Sequence, residues 1–400
     1  MLERLKEQAP DALLALIKLY AADARTDKID LGVGVYRTGQ GDTPVFGAIK
    51  GAEQWLVDNQ DSKSYLGPEG DMGFVHALMP YIFGSDATMG GRLEGMQTPG
   101  GTGAVRLAIA LAKHMGITKL HMGTPSWPNH AQIIKDVDLE WQPFAHANPD
   151  GTANTDAVLA AINGAGPGEA VLIHGCCHNP TGIDYSTQDW EAIGDALVAS
   201  GTFPIIDTAY QGLGFGMEED AVGLRSVLAK VPEAFIAYSC DKNFGMYRDR
   251  VGAFYILAEK GEEGAATLAK TFSNANALAR ASWSMPPDHG AAAVRVILRD
   301  PALTEQWLDE LEQMRARMRQ VREYLGEAGQ QGSVDLAPLA TQNGLFSTLP
   351  VSKEQVVQLR EEHGIYMAGS GRINIAGLTM DNIDKFIGAI ADVTGADVTG

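Results

Sequence analysis

The stretch FPIIDTAY (203–210) runs four mostly apolar residues into an aspartate and closes on a tyrosine. A continuous apolar run without alternation predicts a strand buried on both faces, the kind found in parallel sheets covered by helices. Two runs of the same kind flank it, AVLIHGCC (170–177) and EAFIAYS (233–239). Between them lie TQDWEAIGDALVASG (187–201) and DAVGLRSVLAKV (220–231), both with helical spacing. This alternation predicts an α/β domain with a mainly parallel sheet flanked by helices. Ligands gather at the carboxyl ends of strands in such sheets. Asp207 stands at such an end, where burial demands a cationic partner or donors. A capping or turn aspartate fits the same pattern. Tyr210, three residues on, is placed to share the crevice.

Toward the C-terminus the pattern changes. Asp300 and Pro301 form a helix start, and Trp307, Leu311, Met314, Met318, Val321 and Leu325 then recur at steps of four and three, one apolar seam on a long helix. A polar, glycine-containing stretch follows (326–344), then a second helix in SKEQVVQLREEHG, with a Ser352/Gln355 capping box and a stop at Gly364. GRINIAGL (371–378) reads as a strand. These elements predict a smaller α+β domain, which KIDLGVGVY (28–36) joins from the N-terminal side. The expected division is a large domain over 45–312, with 1–44 and 313–400 forming an N-terminal arm and the small domain.

Composition narrows the function. The 400 residues suffice for two domains, and 45% hydrophobic with 20% charged residues is the balance of a soluble globular chain. Fifty acidic against 31 basic residues leave a net charge of −19, which argues against general binding to nucleic acid or anionic membranes. An anionic substrate must therefore be drawn by local arginines. Three cysteines, Cys176, Cys177 and Cys240, suit a reducing cytoplasm. The first residues, MLERLKEQAP, hold no apolar signal core, and no run of 18 apolar residues occurs, so neither a signal peptide nor a membrane helix is expected.

Several loops carry chemistry. TPGGTGAVRLAIALAKHMG (98–116) sets glycines and a threonine before a helical run, so Gly100, Gly101 and Thr102 read either as a phosphate cradle or as a plain turn and cap. It is neither G-x-G-x-x-G nor a nucleotide P-loop, which removes the dehydrogenase reading. HGCCHNPTG (174–182) has a spacing unsuited to metal, and no metal is expected; its Asn179 opens a turn with an amide to donate. Trp127 in TPSWPNH (124–130) is either core or a flat stacking surface. SCDKNFGMYRDRVG (239–252) places Lys242 near Arg248 and Arg250 against the acidic trend of the chain. Lysine, phosphate cradle, acid, phenol, amide and indole are together the parts a pyridoxal phosphate site needs.

At this point the sequence resembles the class I, fold type I aspartate and aromatic amino acid aminotransferases. TPGGTGA, SWPNH, CCHNPTG, DTAYQG, KNFGMYRDRVG and SGRINIAG occur in that family's order along essentially the whole chain. The resemblance implies a pyridoxal 5'-phosphate enzyme with a ping-pong mechanism, moving an amino group from an amino acid to a 2-oxo acid such as 2-oxoglutarate. It implies that Lys242 forms the Schiff base and carries the proton. Asp207, supported by His130, would pair with the cofactor ring nitrogen, Tyr210 and Asn179 would bind the ring oxygen, and Trp127 would stack. Gly100, Gly101, Thr102, Ser239 and Arg250 would hold the phosphate, joined by Tyr65 of a neighbouring subunit in a homodimer. Gly34 and Arg372 would meet the substrate α-carboxylate, and Arg280 from the neighbour the distal carboxylate. Prolines 125 and 180 match cis positions.

The departures bear on substrate. Asp241 replaces a serine before the lysine, which is expected to shift the imine pKa upward. Ser282, Trp283 and Met285 stand where aspartate-specific members have NYSNPP, and Arg37 and Ser64 also differ. Met285 takes away an amide beside Arg280 and adds flexible apolar surface. These changes favour a site for aromatic side chains that keeps dicarboxylates through Arg280. Competing readings are a strict aspartate enzyme, a β-lyase or decarboxylase on the same cofactor, and a non-catalytic amino-acid-binding protein.

Overall fold

The apolar runs become neighbours in one seven-stranded sheet of the computed structural model, which describes residues 2–7 and 12–395. Its strands are β1 (Leu93–Pro99), β2 (Lys119–Thr124), β3 (Glu140–Ala145), β4 (Glu169–His174), β5 (Phe203–Thr208), β6 (Ala234–Ser239) and β7 (Val251–Leu257). They lie in the order β1-β7-β6-β5-β4-β2-β3. Only β7 runs against its neighbours, so the sheet is mixed and mainly parallel. Every residue of β6 and β7 is buried, which explains why EAFIAYS shows no alternation.

Helix α1 (Gly100–His114) covers this sheet with Val105, Leu107, Ala108, Ile109 and Leu111, all within a core that includes Leu120, Leu172, Ile205 and Phe235. Emptying the Leu107 position to alanine would cost about 2–5 kcal/mol. The Ser186–Asp189 capping box opens α3 (Thr187–Ser200), after α2 (Pro128–Val137), and α4 (Val222–Lys230) follows. Before α4, the buried Asp220 accepts the N–H groups of Gly212, Gly214 and Phe215 at 2.8–2.9 Å, so residues 219–221 form a short 3-10 turn in place of helix.

Two expected strands are shorter than read. The run 170–177 leaves the sheet after His174, and Cys177 takes a left-handed φ of 50°. GRINIAGL is strand only over Arg372–Asn374; the Asn374 side chain then accepts from the Ala376 N–H and starts a 3-10 turn.

The chain divides into two compact units, Pro44–Ala316 and the segments up to Thr43 and from Arg317 onward. Helix α5 (Pro301–Glu327) contributes to both, and all six seam residues are buried. In the smaller unit, Ile29–Asp30 pairs in parallel with Ile365–Tyr366, and Phe346–Thr348 pairs antiparallel with Arg372–Asn374. Helix α6 (Lys353–His363) begins on the Ser352/Gln355 box and ends at Gly364, φ 70°. The polar stretch after α5 holds a small antiparallel pair, Gln330–Gln331 with Val334–Asp335. With the strand Phe346–Thr348 it also surrounds Arg322, which is 1% exposed and donates to the carbonyls of Leu339, Asn343 and Gly344 in the stretch and to the Phe346 carbonyl and Ser347 Oγ in the strand.

Candidate active site

Strand ends of the larger unit converge on one cavity of about 150 Å³. Its walls are Gly101, Thr102, Trp127, His174, Asn179, Asp207, Ala209, Tyr210, Ser239, Asp241, Lys242 and Arg250. Parallel register brings them together: His174 at the end of β4 lies opposite Asp207 on β5, and Asp207 lies opposite Ala237 on β6.

Asp207 is 4% exposed, and its Oδ2 stands 2.9 Å from His130 Nε2. On the other side of that ring, Nδ1 is 2.9 Å from Ser126 Oγ. In the tautomer whose Nε2–H donates to the carboxylate, Nδ1 accepts a hydrogen bond from the Ser126 hydroxyl. The His174 ring centroid is 5.1 Å from that of His130, and burial pushes its pKa well below the usual histidine value. Asp207 is thus backed by a relay that starts from a serine in the loop before α2. The sequence reading overlooked Ser126; its signal is the four-residue spacing to His130 across a helix start. Ala209 was overlooked as a wall residue, for it has no reactive group to draw notice.

Asn179 Nδ2 donates to Tyr210 Oη at 3.2 Å, and both residues are buried. Asn179 follows the CysCys bend and precedes a cis peptide to Pro180; Thr124–Pro125 is likewise cis. Trp127 caps the start of α2 and meets His130 edge-on, with centroids 5.1 Å apart. The Lys242 side chain, one-fifth exposed, holds Nζ 5.4 Å from the Tyr210 ring centroid and 4.0 Å from Asp241 Oδ2. Burial lowers the Lys242 pKa from the ordinary lysine value, against the opposing pull of Asp241, so a larger share of the amine is neutral at a given pH. The upward influence of Asp241 is present, but desolvation outweighs it.

The start of α1 forms one wall. Gly100 has φ 70°, and a Cβ there would lie 2.6 Å from Arg250 Nη2. A Cβ on Gly101 would lie 2.8 Å from Ser239 Cβ. Both positions need glycine, because another backbone or side chain approaches where a Cβ would go. Arg250 itself has φ 56°, a left-handed conformation that costs a non-glycine residue about 1–3 kcal/mol and clusters at functional sites. Its Nη1 pairs with Asp241 Oδ2, and it donates to the Tyr247 carbonyl at 3.1 Å.

The other candidates lie elsewhere. Tyr65 is 94% exposed, and neither it nor Arg280 is in the cavity wall. Arg280, also exposed, donates to Ser284 Oγ at 2.6 Å, and Met285 Sδ accepts the Leu66 N–H at 3.1 Å. In the smaller unit, Arg372 donates to the Gly32 carbonyl at 2.8 Å and lies 4.5 Å from the Phe346 ring centroid. Gly34 lets that ring approach: a Cβ there would be 2.6 Å from Phe346 Cζ. Arg37 pairs with Asp30.

This fold, with a partly exposed lysine and a histidine-backed aspartate lining one cavity at the strand ends, is that of an aminotransferase. The chain belongs to the family of class I and II aminotransferases, whose family model matches residues 26–390. It is of the aspartate and aromatic-amino-acid type, with amino acids and 2-oxo acids as substrates. It is similar to the tyrosine aminotransferase of Rhizobium meliloti, 47% identical over 379 residues, which cover 94% of this chain and 96% of that protein. It is also similar to the aspartate aminotransferase of Escherichia coli, 40% identical over 98% of this chain and 100% of that one. Among solved structures, the aromatic-amino-acid aminotransferase of Burkholderia pseudomallei matches with a TM-score of 0.93 at 33% identity, covering 98% of this chain and 99% of that one. That structure is described as covalently bound to pyridoxal phosphate, and the family depends on this cofactor.

Proposed function

We propose that the cavity binds pyridoxal 5'-phosphate through Lys242 and that the enzyme moves amino groups from aromatic and dicarboxylic L-amino acids to 2-oxoglutarate. The carrying observation is the wall itself, where Lys242, Asp207, Tyr210, Asn179 and Arg250 face one enclosed space. The residues fit the cofactor. Asn179 Oδ1 is buried and has no protein partner, a feature that a polar ligand would explain. The two glycines leave backbone open at a helix start, where an anion is favoured.

When bound, the cofactor supplies an aldehyde for the amino group and a ring that draws electrons from the substrate Cα. Lys242 Nζ, deprotonated more readily than a free lysine, is the base that takes the Cα proton and returns it. Asp207 holds a negative charge beside the ring nitrogen, kept in place by His130 and Ser126. Tyr210 and Asn179 orient the ring oxygen, and Trp127 gives a flat surface. Gly100, Gly101, Thr102, Ser239 and Arg250 take the phosphate. Arg372, with Gly34 nearby in sequence to the loop it contacts, takes the α-carboxylate. Tyr65 and Arg280 act in a second copy of the chain, a homodimer that the exposure of both side chains suits. The cytoplasm is the fitting location for its buried free cysteines; among the described residues no helix is long and apolar enough to cross a membrane.

For substrate breadth, Met285 supports the aromatic reading: its sulfur contacts the backbone of Leu66, beside Tyr65, and presents a flexible apolar surface there. The similarity to an enzyme named tyrosine aminotransferase points the same way. The deciding experiment is half-reaction kinetics of the pyridoxal form with aspartate, glutamate, tyrosine and phenylalanine. Comparable efficiencies for tyrosine and aspartate are expected. Aromatic efficiencies below about a hundredth of the aspartate value, a gap of some 2.7 kcal/mol, would leave a strict aspartate enzyme.

A further inference from the structure

We propose that Asp241 makes cofactor binding proton-linked: its carboxylate occupies the Arg250 guanidinium that a cofactor phosphate would use, so pyridoxal phosphate is held more loosely as pH rises than with a neutral residue at this position. The proposal rests on the pyridoxal phosphate reading of the cavity.

Asp241 is 2% exposed and lines the same cavity as Gly101, Thr102, Ser239 and Arg250. One carboxylate oxygen pairs with Arg250 Nη1, and the other accepts the Val251 N–H at 3.2 Å. The paired oxygen would lie 3.2 Å from a Cβ on Gly100, so the carboxylate sits against the first residue of α1. A protein carboxylate therefore already stands where the helix start and the arginine would receive an anion.

The charges facing it are few. Lys242 Nζ is 4.0 Å away, and Arg250 is in contact. Ser239 Oγ accepts the Asp241 N–H and is neutral. Cys240 is buried, and burial with the Asp241 charge pushes its thiol well up, so it too is neutral. The first turn of α1, GGTGAV, carries no charge, and neither does β7. The Asp207 carboxylate on β5 is bonded to His130. Burial raises the Asp241 pKa above the usual carboxylate value, with Lys242 and Arg250 opposing.

A phosphate monoester loses its second proton near pH 6. Above that, a doubly charged phosphate and a carboxylate compete for one guanidinium, and binding must take up a proton or forgo part of the ion pair. Below it, either group can hold the proton and the conflict eases.

The test titrates the full-length chain, and its Asp241→Asn and Asp241→Ser variants, with pyridoxal phosphate and separately with pyridoxal, from pH 6 to 9, following the absorbance of the bound aldehyde. Both variants should bind pyridoxal phosphate on the order of tenfold more tightly than the parent chain at pH 8.5, an advantage that shrinks toward pH 6. Pyridoxal, lacking the phosphate, should shift by less than about threefold, since no second anion then competes. Equal shifts for both aldehydes, a pH-independent ratio, or no gain in either variant would overturn the role of Asp241. Failure of the parent chain to take up pyridoxal phosphate at any pH would instead overturn the reading of the cavity.

Discussion

Two arginines, Arg322 fully buried and Arg250 partly exposed, show how a cation can be held in two ways in this enzyme. Arg322, in the smaller unit, is surrounded by four backbone carbonyls and a serine hydroxyl. Arg250, in the larger unit, is held by the titratable side chain of Asp241 and the carbonyl of Tyr247. Carbonyls cannot change charge or leave, so Arg322 is locked into the fold. A carboxylate can be protonated or displaced, so the partner of Arg250 can be exchanged for a ligand. The same contrast extends to Lys242 and Asp207, whose neighbours Asp241 and His130 are also ionisable. Charge at the cavity meets partners that can titrate, whereas Arg322 organises backbone, as Arg92 and Asp220 do in the larger unit away from the cavity.

The largest effect should come from the chemistry. Lys242→Ala should lower turnover by at least about 10⁴-fold, as loss of an essential nucleophile does, with the unfolding midpoint of the cofactor-free chain little changed. A variant that kept substantial turnover would break the contrast at once. Arg322→Ala should do the opposite: lose about 3–5 kcal/mol of stability in urea unfolding, because several buried carbonyls lose their donor together. Loss of that size with KM for both substrates unchanged would sharpen the distinction, and a change in KM without loss of stability would defeat it.

A third effect concerns pH. Burial lowers the His146 pKa from 6.5 to about 4, and its ring stacks on that of His178, itself well below the usual value. A neutral histidine in the fold that charges more readily when unfolded contributes stability that is fully present above about pH 6.5 and is lost as pH falls toward 4. For His146 alone this amounts to roughly 3 kcal/mol. Acid unfolding curves of the parent chain and His146→Phe should therefore converge between those values, and parallel curves would show that the ring does not titrate on unfolding. The smallest effect is Ser352→Ala, which removes one cap from α6 and should cost about 1 kcal/mol without touching activity.

Much of this contrast was legible in the chain. The apolar runs predicted three adjacent strands of the seven, β4, β5 and β6, the seam predicted α5, and the Ser352/Gln355 box predicted the start of α6. Each is a local pattern of burial or capping, readable within a dozen residues. Lys242, Asp207, Tyr210, Asn179, Trp127 and Arg250 were also named from their own stretches, Ser239 only through the family resemblance, and all seven line one cavity. Less legible were features whose partners are remote or backbone. Nothing in the polar stretch 326–344 announces that its carbonyls will enclose Arg322. Two strands were read too long, because the left-handed Cys177 and the Asn374 cap end them without a change in hydrophobicity. Ser126 went unseen, since its partner ring faces it only after α2 has begun.

The order of apolar runs, turns and caps was enough to determine an α/β sheet with reactive residues at its strand ends, because burial periodicity and capping act over short distances along the chain. The balance of charge inside the cavity was decided by tertiary structure alone. That Asp241 Oδ2 contacts Arg250 and stands 4.0 Å from Lys242 Nζ, while Oδ1 takes the Val251 N–H, is set only once α1, β6 and β7 have met. Coulomb interactions fall with distance and strengthen with burial, and neither quantity exists until the chain has folded.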